Sequence, residues 1–369
     1  GLPRFLGGFL DLVFDRGTGR LLDDPSIDAI QAIRQITLMF GKVGLPCSEK
    51  RVSRAFDGFI ETEEEVKHCD QIRTPEQIRQ FRLVSSVLFS DVLQGVQQDI
   101  RRGRITAKHG PGATADRRRG NAKWTQQEWP WRLEEVFPSM DFLFPNERYY
   151  SRADRVRLLD PGAERPVRVV AVPKTLKTPR LIAIEPTAMQ YVQQGLSRSL
   201  VDRLEADHLI TSMIGFTDQG PNQAMAREGS LSGELATLDL SEASDRVSNQ
   251  LVRALLAWHP DVARGVDACR SRKADVQGKV IRLAKFASMG SALTFPIEAM
   301  VFLTIVFVAV QKELGRQLTR GDIASLRGQV RVYGDDIVVP TRFVHAVIDE
   351  LTAFGLKVNV NKSFWNGRF

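Results

Sequence analysis

Residues 329–340 read QVRVYGDDIVVP, and this stretch decides the fold that the sequence predicts. Alternating Val, Arg and Tyr residues precede Gly334-Asp335-Asp336, and an apolar run closed by Pro340 follows. Two β-prone runs around a Gly/Asp turn predict a β-hairpin with two adjacent acids at its tip. Unpaired carboxylates between buried strands are costly, and a divalent cation such as Mg²⁺ would offset that cost. An ordinary solvated turn is the alternative, because Gly and Asp favour turns for backbone reasons alone.

A third acid lies inside another predicted strand. The run Leu235 to Leu240 is short enough for a buried strand and contains Asp239. A metal ion shared by Asp239 and the two acids of the hairpin would relieve the cost of all three carboxylates. Further on, Asp245 opens a helical pattern over residues 247–258, where capping of the helix N-terminus explains its charge well.

The composition is that of a globular protein with a basic balance. The 369 residues are 43% hydrophobic and 26% charged, and 51 Lys and Arg oppose 44 Asp and Glu. That length permits two or three domain-sized units, and the net charge of +7 fits a polyanionic partner. The cysteines Cys47, Cys69 and Cys269 show no CxxC spacing, so the sequence predicts neither a disulfide framework nor a zinc site.

One apolar segment resembles a membrane span at first sight. Residues 297–310 carry a single charge, Glu298, but these fourteen residues fall short of the roughly 20 that cross a bilayer. We therefore predict a buried helix in a large core and no membrane partner. The chain begins without Met and stops after an apolar-aromatic run, which predicts a piece of a longer protein.

Two basic segments are candidates for binding phosphate. Residues 101–124 are rich in Arg around a Gly-Pro-Gly turn, and tryptophans that can stack on bases follow at 124, 129 and 131. A solvated basic loop with core tryptophans is the alternative. The second segment places three cations between two β-prone runs, a strand-turn-strand that suits a triphosphate or carries incidental surface charges. The candidate residues are Gly110, Gly112, Arg117, Arg118 and Arg119 in the first segment, and Lys174, Lys177 and Arg180 in the second.

The remaining pattern is mainly helical. Residues 26–103 show three- and four-residue apolar spacing, and residues 189–204 read as another helix. A small-residue loop, 287–291, follows a strand-like run over 279–286 and precedes the apolar helix. Near the end, a helix over residues 344–354 is followed by an edge strand, LKVNVNKSFW, that bears Lys357 and Lys362.

These motifs, in this order, resemble motifs F, A, B, C and D of viral RNA-dependent RNA polymerases. They are most similar to the replicase subunit of levivirus-like single-stranded RNA bacteriophages. The matching stretches are VPKTLKTPRLIAIEP (F), LDLSEASDRVS (A), SMGSALTFPIE (B), YGDDIVV (C), GLKVNVNKSF (D) and HGPGAT, which resembles a Gly-Pro-Gly segment of the fingers. The resemblance covers residues 105–369 and implies an α+β right-hand polymerase fold of fingers and palm.

The resemblance also implies domains and roles. Residues 1–105 would be a mainly helical region associated with the fingers, 106–230 the fingers, and 231–369 the palm, with the thumb largely absent. The activity implied is RNA synthesis on an RNA template by a two-metal mechanism, with Mg²⁺, or alternatively Mn²⁺, as cofactor. The implied catalytic residues are Asp239, Asp335, Asp336 and Lys362, of which the three aspartates would hold the metal. The implied nucleotide contacts are Lys174, Lys177, Arg180, Asp245, Ser288, Gly290 and Thr294.

The implied setting is replication of a positive-strand RNA virus genome in the cytoplasm of a bacterial host. RNA template and product, NTPs and host translation factors would be the partners.

Several alternative identities and residue roles stay open at this point. Mitovirus and narnavirus polymerases share the spacing of the motif A acids, and Lys357 competes with Lys362 as the general acid. A reverse transcriptase usually has a bulkier residue where Gly334 stands, and a non-catalytic RNA-binding protein leaves Asp239 unexplained.

Overall fold

The computed structural model describes residues 2–39, 46–144, 146–175 and 178–365. Helices and strands both run through these ranges, which confirms the predicted α+β class. The helices are α1 (Gly7–Leu10), α2 (Ile27–Leu38), α3 (Glu49–Ile72), α4 (Pro75–Arg101), α5 (Trp131–Glu134), α6 (Ser139–Phe142), α7 (Thr187–Ala206), α8 (Gly220–Ser232), α9 (Ala243–Arg246), α10 (Asn249–Leu255), α11 (Pro260–Cys269), α12 (Thr294–Leu314), α13 (Arg320–Ser325) and α14 (Val344–Ala353). The strands are β1 (Glu128–Pro130), β2 (Arg157–Leu159), β3 (Val167–Val172), β4 (Arg180–Ile184), β5 (Leu235–Ser241), β6 (Lys273–Val276), β7 (Lys279–Arg282), β8 (Arg331–Tyr333), β9 (Asp336–Pro340) and β10 (Lys357–Val358).

The chain divides into two compact units. The first consists of Gly1–Gly58 with Ala171–Leu181, and the second of Phe59–Val170 with Ile182–Phe369. In the first unit, the Ser26 hydroxyl caps α2 by accepting from the Ala29 N–H at 3.3 Å. The division predicted from the resemblance, at residues 105 and 230, stays a prediction.

The core of the second unit is built around α12. All residues from Pro296 to Val310 are buried in this helix, which packs against α4, α10 and α14. By length and composition α12 is the one helix among the described residues that could cross a bilayer, and its apolar stretch is 89% buried inside the protein. The predicted buried core helix is therefore confirmed, but the length argument is wrong, because the helix has 21 residues and not fourteen. The long helix α4 begins with a capping box in which Thr74 and Gln77 bond each other's backbone N–H groups.

Two four-stranded sheets lie beside these helices, and one of them carries the predicted acids. Its order is β10-β5-β9-β8, and every neighbouring pair in it is antiparallel. The other sheet has the order β4-β3-β6-β7, in which β3 and β6 run parallel. The two strands that flank the basic turn, β3 and β4, are neighbours, as the sequence predicted.

The hairpin predicted from QVRVYGDDIVVP is confirmed. Tyr333 pairs with Asp336, so the loop between β8 and β9 contains only Gly334 and Asp335. Gly334 has φ +60°, and a Cβ there would lie 3.0 Å from the ring of Phe295. A residue with a side chain would be strained in this turn, which explains the glycine.

Three predicted element boundaries are wrong. The helix predicted over residues 247–258 is instead α10, which begins at Asn249 and is capped by the Ser248 hydroxyl. Asp245 lies one turn earlier, in α9, so it does not cap that helix. The strand predicted to reach Phe286 ends at Arg282, and the final strand contains only β10. A 3₁₀ turn, Val360–Lys362, interrupts the strand after β10, and Phe364 then pairs with Thr237 of β5 in an isolated antiparallel bridge.

Candidate active site

The ends of two adjacent strands bring the predicted acids together. Asp239, near the end of β5, is the direct cross-strand partner of Asp336, the first residue of β9. Asp335 precedes Asp336 in the two-residue turn and is exposed to solvent, while Asp336 is half-buried. Burial alternates along β5, so Asp239 is on the more open face of a strand whose other face is in the core. The sheet register therefore places all three carboxylate-bearing residues at one end of the β5–β9 pair.

The charges at this end of the sheet affect one another. Burial raises the pKa of Asp336, and the negative charges of Asp335 and Asp239 raise it further. Gln219 opposes this effect weakly by donating to the Asp336 carboxylate at 3.4 Å. Negative charge is therefore concentrated here, and Gln219 and the charge of Lys362 offset it only in part.

The segment after β10 surrounds the Asp239 carboxylate. Asn359 Nδ2 donates to Asp239 Oδ2 at 2.9 Å, and Lys362 Nζ lies 3.4 Å from Oδ1. Lys357 instead forms an ion pair with Glu65 at 2.8 Å. Of the two lysines that compete for the general-acid role, only Lys362 contacts a predicted metal ligand. This geometry favours Lys362.

Asp245 is held by a lysine that the sequence reasoning missed. Lys285 is fully buried, and its Nζ lies 3.0 Å from Asp245 Oδ1 and 3.9 Å from Glu63 Oε2. The same ammonium lies 3.3 Å above the centre of the Phe59 ring. The signal in the sequence was a lone Lys between apolar residues in LAKFASMG, a pattern that is costly without a partner.

The small-residue loop before α12 docks closely on β4. The Ala183 N–H donates to the Met289 carbonyl at 2.8 Å, and a Cβ on Gly290 would lie 2.1 Å from the Ala183 oxygen. The Thr294 hydroxyl bonds the Ser288 carbonyl at 2.9 Å. The buried Ser288 hydroxyl has no hydrogen-bond partner within the described ranges. It is therefore a buried polar group whose hydrogen-bonding capacity is unused in this conformation.

The second residue missed from the sequence is an acid in the first turns of α12. Glu298 is buried, and its pKa rises to about 8 through burial and the charges of Asp335 and Asp245. At neutral pH this carboxyl therefore keeps its proton, and it is a poor metal ligand. Among the described residues, no three His, Cys, Asp or Glu side chains are close enough together to enclose a metal ion.

The predicted phosphate-binding residues fall into separate groups. Lys174 and Arg180 are exposed residues of the first unit, while Lys177 lies outside the described residues. In the second unit, buried Lys123 donates to the carbonyls of Gly110 and Gly112 and so fixes the Gly-Pro-Gly turn from inside.

The three arginines after that turn also differ. Arg118 is bound to Asp116 at 2.9 Å and to the Ala122 carbonyl at 3.2 Å. Arg117 and Arg119 are exposed. Only these two arginines are therefore presented to solvent as the prediction requires.

The family described as "RNA replicase, beta-chain" matches residues 163–369, which is more than half of the chain and includes the acids of the β5–β9 pair. The chain belongs to this RNA replicase family. The family predicted from the motifs is thus confirmed. One relative, the RNA-directed RNA polymerase beta chain of Enterobacteria phage fr, is 36% identical over 201 residues, which are 54% of this chain and 34% of the relative.

A second relative belongs to another phage. The RNA-directed RNA polymerase subunit beta of Qbeta virus (strain MX1) is 36% identical over 206 residues, 55% of this chain and 32% of the relative. The chain therefore spans about a third of the length of the curated relatives that it matches. A solved BmCPV RNA-dependent RNA polymerase matches with a TM-score of 0.42 and 11% identity over 75% of this chain and 27% of its own, too low a similarity to support an inference.

Proposed function

We propose that this replicase chain carries the nucleotide-adding site of an RNA polymerase that copies RNA from an RNA template. The observation that carries the proposal is the pairing of Asp239 with Asp336 in the sheet, next to Asp335 in the turn. Three hard oxygen donors at one end of a sheet suit a divalent cation, because a cation would offset the burial and the neighbouring negative charges that raise the pKa of Asp336. Mg²⁺, with Mn²⁺ as the alternative, would be held by these three aspartates once their side chains turn toward a common ion, since they do not enclose one in this conformation.

A divalent cation bound there would favour ionisation of a 3′-hydroxyl and stabilise the departing pyrophosphate. The protein's own groups complete the site. Lys362, next to Asp239, is the proposed proton donor to the leaving pyrophosphate, since its side chain is exposed and lies beside a predicted metal ligand. Asp245 would accept a hydrogen bond from the ribose 2′-hydroxyl, and Lys285 would hold that carboxylate in position.

The remaining contacts are proposed from their chemistry. Ser288, Gly290 and Thr294 would position the nucleotide or template, because the loop offers an unpaired hydroxyl and a glycine surface. Lys174, Lys177 and Arg180 would bind the triphosphate, and Gly110, Gly112 and Arg117 to Arg119 would contact RNA. We further propose that the protein works in the cytoplasm of an infected bacterial cell with partner subunits, because its relatives are phage proteins named as subunits. Host translation factors are the proposed partners.

Primer extension with labelled NTPs, RNA template and Mg²⁺ tests this proposal. The assay compares the chain, together with any sequence that its gene adds, with its Asp335→Ala variant. We expect the variant to lose nucleotide addition by about 10²- to 10³-fold or more, since a group acting on the transition state is removed. RNA affinity should stay, because no phosphate-contacting cation is lost.

Asp349→Ala is the matched control, since Asp349 is an exposed acid on α14. Equal loss of extension in both variants would overturn the assignment of Asp335. Wild-type protein that binds RNA and adds no nucleotide would instead support a non-catalytic RNA-binding protein.

A further inference from the structure

The tryptophans that follow the Arg-rich segment have opposite environments. Trp129 is fully buried, and its Nε1–H donates to the Phe137 carbonyl at 3.1 Å. Trp124 is 64% exposed. A single exposed aromatic ring is ordinary on a protein surface, but it marks an interaction site when it belongs to a larger patch.

Trp124 is also held in place. Its ring meets His109 edge-on with centroids 4.6 Å apart, and His109 stacks on Tyr191 at 4.4 Å. The Tyr191 hydroxyl donates to the Phe142 carbonyl at 3.0 Å, which anchors this aromatic stack to the protein. The exposed face of Trp124 is therefore a preorganised surface, and a ligand would pay little entropy to use it.

A groove opens beside this face. The cavity measures about 460 Å³, and its lining includes Trp124, Leu143, Tyr149, Arg152 and Arg155. The Arg152 guanidinium lies over the Tyr149 ring, 5.1 Å from its centre. That volume falls within the range of pockets that hold small ligands or single bases. We refer to these five residues as the Trp124 groove.

The two arginines of the Trp124 groove are available to an anion. Both are exposed, and among the described residues neither Arg152 nor Arg155 forms an ion pair. The acids nearest in sequence, Glu147 and Asp154, are exposed on the same 3₁₀ segment. Guanidinium groups without an ion pair in the described part of the chain lie beside the exposed rings of Trp124 and Tyr149, and Arg152 covers one face of Tyr149. This combination matches the two parts of a single-stranded nucleic acid, phosphate and base.

We propose that the Trp124 groove binds single-stranded RNA, with bases stacking on Trp124 and Tyr149 and phosphates contacting Arg152 and Arg155. The inference deepens the proposed function, because RNA is the proposed template and product. It adds a binding site whose lining contains none of the acids of the sheet and which lies beside the Gly-Pro-Gly turn, because Trp124 packs against His109. Duplex RNA fits less well, since its bases are already stacked and cannot reach a flat aromatic face.

The test measures equilibrium binding of a labelled single-stranded RNA without NTPs, in the Asp335→Ala background, over a range of salt concentrations. Its result is therefore independent of whether the protein adds nucleotides. Trp124→Ala should weaken binding about 5- to 150-fold, the value of one stacked base, without changing the salt dependence. The double variant Arg152→Ala/Arg155→Ala should lower the slope of log K against log salt by about 1.4, because two phosphate contacts are lost.

Matched controls separate the groove from general effects. Trp258→Ala removes another exposed tryptophan, 57% exposed at the end of α10, and Arg227→Ala/Arg327→Ala removes two exposed arginines elsewhere. Both controls should bind RNA nearly as wild type does. Circular dichroism melting verifies folding, and photo-crosslinking of 4-thiouridine RNA to the unaltered protein should label Trp124 or Tyr149.

Several results would overturn the proposal. Equal affinity of the Trp124 and Trp258 variants would show that the ring does not stack on RNA. An equal fall in slope for both arginine pairs would mean that only net charge matters. Absence of crosslinks at the groove, or of RNA binding by the wild type, would leave a protein partner as the occupant.

Discussion

The end of the β5–β9 pair and the segment from Trp124 to Trp131 differ in what fixes their side chains. Around Asp239 and Asp336, cross-strand register places the residues, so the strand pattern and the turn determine which acids meet. In the tryptophan segment, neighbours far along the chain decide which rings are buried. A motif therefore predicts backbone geometry well and side-chain exposure poorly. The four measurements below test this difference between the two regions.

The largest expected effect is at Lys285, which contacts the predicted site residue Asp245. Lys285→Met removes the charge that is fully buried between Asp245 and Glu63, at a cost of about 3 to 5 kcal/mol of unfolding free energy. Because Asp245 loses its partner, discrimination between ribo- and deoxyribonucleotides should also fall. Denaturant unfolding and paired incorporation assays measure the two effects. If selectivity is unchanged in folded protein, Lys285 does not position Asp245 for the ribose.

The next effect concerns the loop before α12. Gly290→Ala brings a Cβ to 2.1 Å from the Ala183 carbonyl at a φ of +131°, so it should cost about 2 to 4 kcal/mol and displace the loop. Gly278→Ala is the control, since Gly278 also has positive φ and open space around it. That change should cost only about 1 kcal/mol. Equal melting temperatures for the two variants would show that close approach to β4 is not what requires Gly290.

The third prediction concerns how much Trp129 and Trp124 contribute to the free energy of unfolding. Trp129→Phe leaves the Phe137 carbonyl unpaired in the core and should cost about 2 to 3 kcal/mol. Trp124→Phe changes an exposed ring and should stay within about 0.5 kcal/mol of the wild type. Urea unfolding of both variants measures the difference. A large loss at Trp124 would mean that its ring is structural.

The smallest expected effect is the pH dependence of His109. Burial, with the charge of Lys123, lowers the pKa of His109 to about 4. The unfolded chain therefore binds more protons below its ordinary pKa of about 6.5, and stability falls as the pH drops from there towards 4. Since His109 is only half-buried, we expect a loss of about 1 kcal/mol between pH 7 and pH 5. Unfolding curves of wild type and His109→Gln give the value, and parallel pH profiles would contradict it.

The residue pattern alone was sufficient to predict the hairpin with Gly334 at its turn, the strand with Asp239, the buried helix α12 and the family. These features depend on local rules, since alternation, turn residues and apolar runs act within a few positions. The same local rules misplaced the start of α10, because Ser248 and Asp245 both suit a helix N-terminus and only the fold selects one.

The partners of the charged groups could be identified only in the tertiary structure. It paired Asp245 with Lys285 and Lys357 with Glu65, and it left Lys362 beside Asp239. It also separated exposed Trp124 from buried Trp129. These contacts join residues that are tens to hundreds of positions apart. A buried charge selects its partner by desolvation and proximity in space, and neither quantity is encoded in the spacing of residues along the chain.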